Sequence, residues 1–225
     1  MRSLAHTVLA RVAAGVLGVA GSAQLAQGAL EVAGRHVFVV HPGVDALWGS
    51  YLFMVANTAA EAETTTFRVM LPQETNDWGA QDGVTQDDLS LGDGGGVQLK
   101  KSFVPGDSLL AIGFKVPGQL GSASMSFKAP ADIAKIVVMA RKDTLTMSGE
   151  GFVFHTDVPF SDTVYDTLSR GPVAAGEVVK VTIGRIPEGR ARLWAAGAVS
   201  FLVLFALATF MALRTRPRPT VTEGI

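Results

Sequence analysis

The sequence predicts an all-β ectodomain, built as an immunoglobulin-like β-sandwich and followed by one C-terminal transmembrane helix. Three observations predict this class. Apolar and polar residues alternate with a period of two through the middle of the 225-residue chain, turns containing Gly or Pro separate the alternating stretches, and 21 uncharged residues, 193–213, lie near the C-terminus. The alternation is typical of strands with one buried and one solvated face. A helix of about 32 Å matches the apolar thickness of a bilayer.

The first 28 residues have the order of a secretory signal peptide. Two arginines precede the first acidic residue, and the apolar run 12–20 that follows them is too short to span a bilayer. Small and polar residues come next. We therefore expect residues 1–28 to be removed after Gly28, with Ala23 as the alternative cleavage site.

Alternation is clearest in four stretches of the ectodomain, 66–71, 109–116, 122–129 and 178–183. Further strands are predicted at 36–40, 48–56, 97–103, 136–140, 145–148, 152–155 and 164–168. Six of the predicted strands precede Pro130, and we expect them to form one sandwich domain over residues 29–130. Residues 131–190 then form either a second, smaller β domain or an extension of the first.

The charges around the apolar run predict its orientation. Three arginines follow the predicted helix at residues 192–213, whereas two, Arg190 and Arg192, stand just before the apolar core, and basic residues favour the cytoplasmic side. Trp194 lies where an indole ring rests at the headgroup level. We expect a single-pass protein of the cell membrane that contacts lipid through residues 193–213. Its ectodomain lies outside the cytoplasm, and the tail 214–225 lies inside.

Composition excludes several classes of function. Residues 30–190 carry 13 basic and 19 acidic side chains, a net charge of −6, which is the opposite of a nucleic-acid-binding surface. The chain has no cysteine, so disulfides, thiolate catalysis and thiolate zinc sites are excluded together. Three histidines follow the predicted signal peptide. His36 and His41 are five residues apart on one strand and should therefore face opposite sides.

An acidic, Gly-rich stretch runs from residue 74 to residue 96. Four of its carboxylates, Asp82, Asp87, Asp88 and Asp93, are weak candidates for a Ca²⁺ site, because a hard cation binds several oxygen ligands. Their spacing lacks the regularity of known calcium loops. A solvated loop with Asp-Gly turns is favoured, so no metal or cofactor is predicted, and a calcium-stabilised adhesion-like module is the alternative.

Signals for catalysis are weak. The sequence contains neither Gly-x-Ser-x-Gly nor Ser-x-x-Lys. His155, Asp157 and Ser161 are the residue types of a hydrolase triad, but nothing in the sequence fixes their geometry. We therefore predict no enzyme, and a hydrolase is the less favoured alternative.

The order of the pieces resembles bacterial single-pass envelope proteins with immunoglobulin-like ectodomains. The pieces that carry the resemblance are Leu71-Pro72, the polar loop 73–96, the Pro105-Gly106 turn and the segment 184–187 before the apolar run. The resemblance implies an accessory or binding role in the cell envelope. Its expected partner is an envelope protein or a surface polymer, and it implies no activity.

Overall fold

The computed structural model describes residues 29–92, 96–160 and 162–189. In these ranges the chain forms fourteen β-strands and one short 3-10 helix, which confirms the prediction that this part of the chain is all-β. The described residues up to Pro187 belong to one compact unit. The strands are β1 (Leu30–Val32), β2 (Arg35–Gly43), β3 (Ala46–Asn57), β4 (Glu63–Arg68), β5 (Asp77–Ala80), β6 (Leu89–Leu91), β7 (Val97–Phe103), β8 (Gly106–Pro117), β9 (Ser122–Lys128), β10 (Lys135–Arg141), β11 (Thr146–Gly149), β12 (Val153–Phe160), β13 (Thr163–Arg170) and β14 (Val178–Gly184), and the 3-10 helix is Gln86–Asp88.

A large sheet of eight strands organises the fold. Its strands lie in the order β12-β13-β10-β2-β3-β8-β5, and β1 also pairs with β3. Strands β3 and β8 pair along twelve residues each, from Ala46 opposite Pro117 to Asn57 opposite Gly106. Every pairing is antiparallel except that of β10 with β2, which is parallel.

Two small sheets, β11-β14-β9 and β4-β7-β6, share one hydrophobic core with the large sheet. Apolar residues at alternate positions supply this core, as a period of two requires. Phe38 of β2 packs against Phe127 of β9, with ring centroids 4.3 Å apart, and Phe53 of β3 meets Phe67 of β4 edge to face at 5.8 Å. We call the side of the large sheet that faces this core the inner face, and the opposite side the outer face.

Strand pairing crosses Pro130 twice. The parallel partner of β2 is β10, which lies beyond Pro130 in the chain, and β14 pairs along its whole length with β9. Residues 29–130 and residues 131–187 thus contribute strands to the same sheets.

The predicted strand at 66–71 differs from the observed strand. Strand β4 ends at Arg68, and both Val69 and Met70 are buried, so the alternation stops there. The alternation stops because the chain leaves the sheet after Arg68 and continues along the edge of the core. Three short strands, β1, β5 and β6, were not predicted because they are too short to show a period.

The predicted signal peptide (1–28), the predicted span (192–213) and the tail (214–225) lie outside the described residues. Among the residues that the structure describes, no helix has the length and apolarity needed to cross a bilayer.

Candidate functional site: a groove between the two small sheets

A surface groove of about 850 Å³ opens between the two small sheets. Strand β4 lines one side, and the end of β9 with the residues that follow it lines the other. The lining residues are Thr66, Phe67, Arg68, Val69, Met70, Leu71, Pro72, Gln73, Thr75, Asn76, Trp78, Leu91, Gly96, Val97, Lys128, Ala129, Pro130 and Gly176. The groove is larger than a water site and falls in the range of volumes that ligand clefts occupy.

The floor of the groove is the segment 69–76, which connects the two small sheets. At one end the Val69 N–H donates to the Val97 carbonyl of β7 at 2.9 Å. At the other end the Gln73 N–H donates to the Ser126 carbonyl of β9 at 2.8 Å. The Glu74 carboxylate accepts from the Ser126 N–H at 2.7 Å and from the Ser126 hydroxyl at 2.6 Å. These bonds hold the floor in a single position relative to both sheets.

Among the residues that the structure describes, two cations and no carboxylate line the groove. Arg68 lies against Gly96, where a Cβ would meet the Arg68 Nε at 2.4 Å, so glycine at this position makes room for the guanidinium group. Lys128 lies on the opposite wall. Within the described ranges, neither cation forms a salt bridge. The groove therefore favours neutral or anionic ligands over cationic ones.

Apolar and polar surfaces alternate inside the groove. Trp78 and Leu91 offer apolar contact, and Leu91 is 68% exposed. The Thr75 hydroxyl is buried and has no hydrogen-bond partner. Strand β4 pairs only with β7 among the described strands, so its other backbone edge is available along Thr66 to Arg68. Such an edge accepts an extended chain through main-chain hydrogen bonds.

The three candidate calcium ligands that the structure describes have different surroundings. Asp88 caps the 3-10 helix by accepting from the Thr85 N–H at 2.9 Å, and it pairs with Lys101 at 3.1 Å. Asp82 accepts at its backbone carbonyl from the Ala111 N–H, and Asp87 is exposed. Asp93 lies outside the described residues. In the described part of the chain, no group of three or more His, Asp or Glu side chains is close enough to hold a metal ion.

The three histidines lie in different surroundings. His36 is buried on the inner face, where its Nδ1 lies 2.5 Å from the Tyr51 hydroxyl, and burial lowers its pKa to about 4. His41 lies on the outer face opposite Trp48, and burial lowers its pKa as well. His155 is on β12, where its Nε2 lies 3.5 Å from the Ser169 hydroxyl. A shared ligand set is excluded for the two on β2.

Of the three residues of the candidate hydrolase triad, the structure describes His155 and Asp157. A β-bulge interrupts β12 between His155 and Val158, and Asp157 takes the left-handed conformation, with a φ of 57°. The Asp157 carboxylate accepts from Lys142, and that hydrogen bond lowers the pKa of Asp157. In the described ranges no hydrogen bond joins His155 to Asp157. Ser161 lies outside them.

Sequence reasoning missed the residues that form the groove. Arg68 and Lys128 fall on the solvated faces of the predicted strands 66–71 and 122–129, and Trp78 lies in the acidic stretch 74–96. The one available signal was a break in period: Val69 and Met70 are consecutive apolar residues after an alternating strand, which marks a chain that leaves its sheet.

Comparisons with known proteins name no family for the chain. No protein-family model matches it, and no curated protein sequence matches it. Among solved structures, a protein of Legionella pneumophila described as nutrient-binding has a TM-score of 0.44 and 9% identity, over 73% of this chain and 70% of that one.

Two further structures are similar at the same level. An M1 zinc metallopeptidase from Deinococcus radiodurans has a TM-score of 0.37 and 14% identity, over 71% of this chain and 43% of the peptidase. The leukotriene A4 hydrolase of yeast has a TM-score of 0.42 and 9% identity, over 69% of this chain and 29% of the hydrolase. This chain spans less than half the length of either enzyme. Likenesses with such scores support no statement about its activity.

Proposed function

We propose that the protein is a non-catalytic binding component of the cell envelope, which holds an extended segment of a partner protein in the groove between its small sheets. The observation that carries the proposal is the groove itself: it measures about 850 Å³, its described lining includes two cations and no carboxylate, and the edge of β4 runs along one side. An added strand would gain main-chain hydrogen bonds from β4 and side-chain contacts from the groove.

The groove favours a particular kind of segment. Arg68 and Lys128 both line the groove, so an acidic residue in the ligand has two cations within the groove to pair with. Trp78 and Leu91 would cover an apolar side chain of the ligand. The proposed ligand is therefore an extended, mildly acidic peptide with apolar residues at alternate positions. A surface polymer with anionic groups is the other outcome of the test.

The location of the protein is also part of the proposal. The basic start of the chain, the 21-residue uncharged run and the arginines beyond it support an exported domain anchored by residues 193–213. The immunoglobulin-like form of the sandwich stays a prediction. Two packed β layers support it, and the parallel pair of β2 with β10 departs from the all-antiparallel sheets of that family.

We propose that the protein is not catalytic because of the contacts that the candidate residues make. The Asp157 carboxylate accepts a hydrogen bond from Lys142 and does not orient His155. A β-bulge also interrupts the strand between His155 and Val158, so His155 and Asp157 do not lie on one regular strand face. A triad needs its base oriented by a carboxylate.

Photocrosslinking in intact cells tests the proposal. A photoreactive amino acid at Thr66, on the exposed edge of β4, should yield a specific crosslinked protein. The matched control is Thr182, an exposed threonine on β14 of the other small sheet, which does not line the groove and should yield none.

Charge reversal identifies the contact. Arg68→Glu with Lys128→Glu should reduce the Thr66 crosslink about tenfold, since two favourable charge contacts of the order of 0.7 kcal/mol each are lost. Arg141→Glu with Lys180→Glu changes the net charge equally on exposed sites outside the groove and should leave the crosslink unchanged. Equal crosslinking from Thr66 and Thr182 would refute the groove as the binding site, and a crosslinked product that lacks protein would identify a polymer.

A further inference from the structure

Three segments of the chain meet at one end of the sandwich, which we call the exit end. They are the β2–β3 turn (43–46), the β8–β9 turn (118–121) and the exit segment (184–187). The Asp45 N–H donates to the Pro187 carbonyl at 2.8 Å, the Gly118 N–H donates to the Asp45 carbonyl at 2.9 Å, and the Ile186 N–H donates to the Gly121 carbonyl at 2.9 Å. Backbone bonds therefore fix both turns to the point where the chain leaves the domain.

Each of the two turns carries an exposed apolar side chain at its tip. Val44 is 68% exposed and Leu120 is 91% exposed, the highest value of any large hydrophobic residue in the described ranges. Single exposed apolar residues are common on protein surfaces and need no explanation by themselves. Two of them on joined turns at one end form a pair that a single flat surface can contact.

The backbone of the β8–β9 turn gives a second, independent observation. Gln119 and Ser122 close a two-residue hairpin with reciprocal hydrogen bonds of 2.7 and 3.1 Å, and both central residues, Leu120 and Gly121, have positive φ angles of 50° and 70°. Hairpins of this kind strongly favour Asn-Gly, because asparagine tolerates the left-handed region and branched apolar residues do not. Leucine thus occupies a site where the turn alone would favour a polar residue. Residues held in unfavourable conformations are often functional.

The position of the exit segment indicates what lies opposite these side chains. The chain leaves at Pro187, and the first residue of the predicted span, Leu193, is six residues later, a reach of at most about 20 Å. Arg185 in the exit segment is exposed and can face anionic headgroups. A bilayer that contains residues 193–213 therefore lies within reach of both turns.

We propose that the exit end rests on the bilayer surface and that Val44 and Leu120 insert at the headgroup level, so that the domain is held in one orientation instead of turning freely on its linker. The proposal rests on the membrane anchor proposed above, and its partner is lipid.

Site-specific fluorescence on the full-length protein tests the proposal. The chain has no cysteine, so Val44→Cys and Leu120→Cys each create a unique labelling site for an environment-sensitive dye. The control is Val104→Cys. Val104 is 66% exposed, and it precedes β8, whereas the β8–β9 turn follows that strand at its other end. The protein is reconstituted in vesicles of phosphatidylcholine and phosphatidylglycerol, with and without a spin-labelled lipid quencher.

Dyes at residues 44 and 120 should show blue-shifted emission and quenching by the spin-labelled lipid, and the dye at residue 104 should behave as in water. Water-like emission at all three sites, in protein that floats with the vesicles, would overturn this inference and leave the anchor intact. Failure of the protein to float with vesicles would overturn the anchor instead. Blue-shifted emission without lipid quenching, dependent on protein density, would identify a second copy or another protein as the occupant and refute the lipid assignment.

A turn variant separates membrane contact from folding. Leu120→Asn should raise the melting temperature, because asparagine suits the turn, and should lower lipid quenching of a dye at residue 44 by about twofold through loss of one of two insertion points. Val104→Asn should leave that quenching unchanged. Undiminished quenching in Leu120→Asn would contradict a role for Leu120 in lipid contact.

Discussion

The two faces of the eight-stranded sheet are built by the same strands and yet differ in their apolar packing and in the surroundings of their polar side chains. On β2 and β3, alternate residues point to the inner face and join an aromatic stack, in which Tyr51 lies between Phe38 at 4.8 Å and Phe53 at 4.7 Å. The residues between them form a smaller apolar cluster on the outer face, which includes Val37 and Leu52.

The contrast is sharpest where polar side chains are concerned. The inner face buries His36 completely and gives it one partner, the Tyr51 hydroxyl. The outer face leaves Trp48 42% exposed beneath the Lys115 ammonium group, 4.9 Å from the ring centroid. We therefore expect changes in volume or charge to cost more on the inner face than on the outer face near Trp48.

The largest expected effect comes from adding one methyl group to the inner face. A Cβ at Gly49 would meet the Phe114 ring at 2.2 Å, so Gly49→Ala should cost about 3 kcal/mol in the free energy of unfolding. Gly79→Ala on neighbouring β5 is the control, because its nearest atom is the Gln86 Oε1 at 4.0 Å. Urea denaturation of the two variants measures the difference. Equal costs would show that the core around Phe114 yields easily.

Acid should destabilise the fold through the inner face. The pKa of His36 falls from 6.5 to about 4 on folding, so the unfolded chain binds a proton that the folded chain does not. Stability is therefore complete above about pH 6.5 and decreases as the pH falls toward 4. The loss from this group should reach about 2 kcal/mol at pH 5.

Urea midpoints at pH 7 and pH 5 measure this loss. His36→Gln should flatten the dependence, whereas His41→Gln, on the outer face, should keep most of it. The same slope in wild type and His36→Gln would assign the acid effect to other groups.

A smaller effect is expected from the partner of His36. Tyr51→Phe keeps the ring in the aromatic stack but removes the hydroxyl that lies 2.5 Å from the His36 Nδ1. A buried polar atom then loses its partner, which should cost about 1.5 kcal/mol. Trp48→Phe, the matched aromatic change on the outer face, should cost less than about 1 kcal/mol. Thermal melts of both variants give the comparison, and a cost for Trp48→Phe above that for Tyr51→Phe would reverse it.

The smallest effect belongs to the outer-face cation. Lys115→Ala removes the ammonium group over Trp48, a contact at a partly exposed site, and should change the free energy of unfolding by about 0.5 kcal/mol. Lys100→Ala on β7 is the control, because no cation–π contact involves Lys100 in the described part of the chain. A loss above about 1.5 kcal/mol would show that the outer face near Trp48 is as constrained as the inner face.

The period of two predicted the long strands because it is a local property of the chain. Strands β7 and β9 carry clear alternation, and their apolar residues are buried as expected. Strand β5, with the sequence Asp-Trp-Gly-Ala, has no such pattern. It forms because β8 offers a free edge, which is a tertiary cause that the local sequence does not carry.

The groove was beyond sequence reasoning for the same reason. Arg68 ends β4, and Lys128 ends β9, sixty residues later in the chain. They line one groove only because residues 69–76 bond to Val97 and to Ser126 in different sheets. The sequence shows the alternation of each strand but not its neighbour, and long-range pairing decides which side chains meet.

The parallel pairing of β2 with β10 also sets an order of events. Strand β2 is made early, but the partner for its second edge begins at Lys135, a full one hundred residues after Arg35. Closing so large a loop is slow, and until it closes the chain presents an unpaired, apolar strand edge. Strand β2 therefore has only one of its two neighbours until the chain has been made as far as β10. Chaperones that bind exposed strand edges would act in the interval before Lys135 has been synthesised.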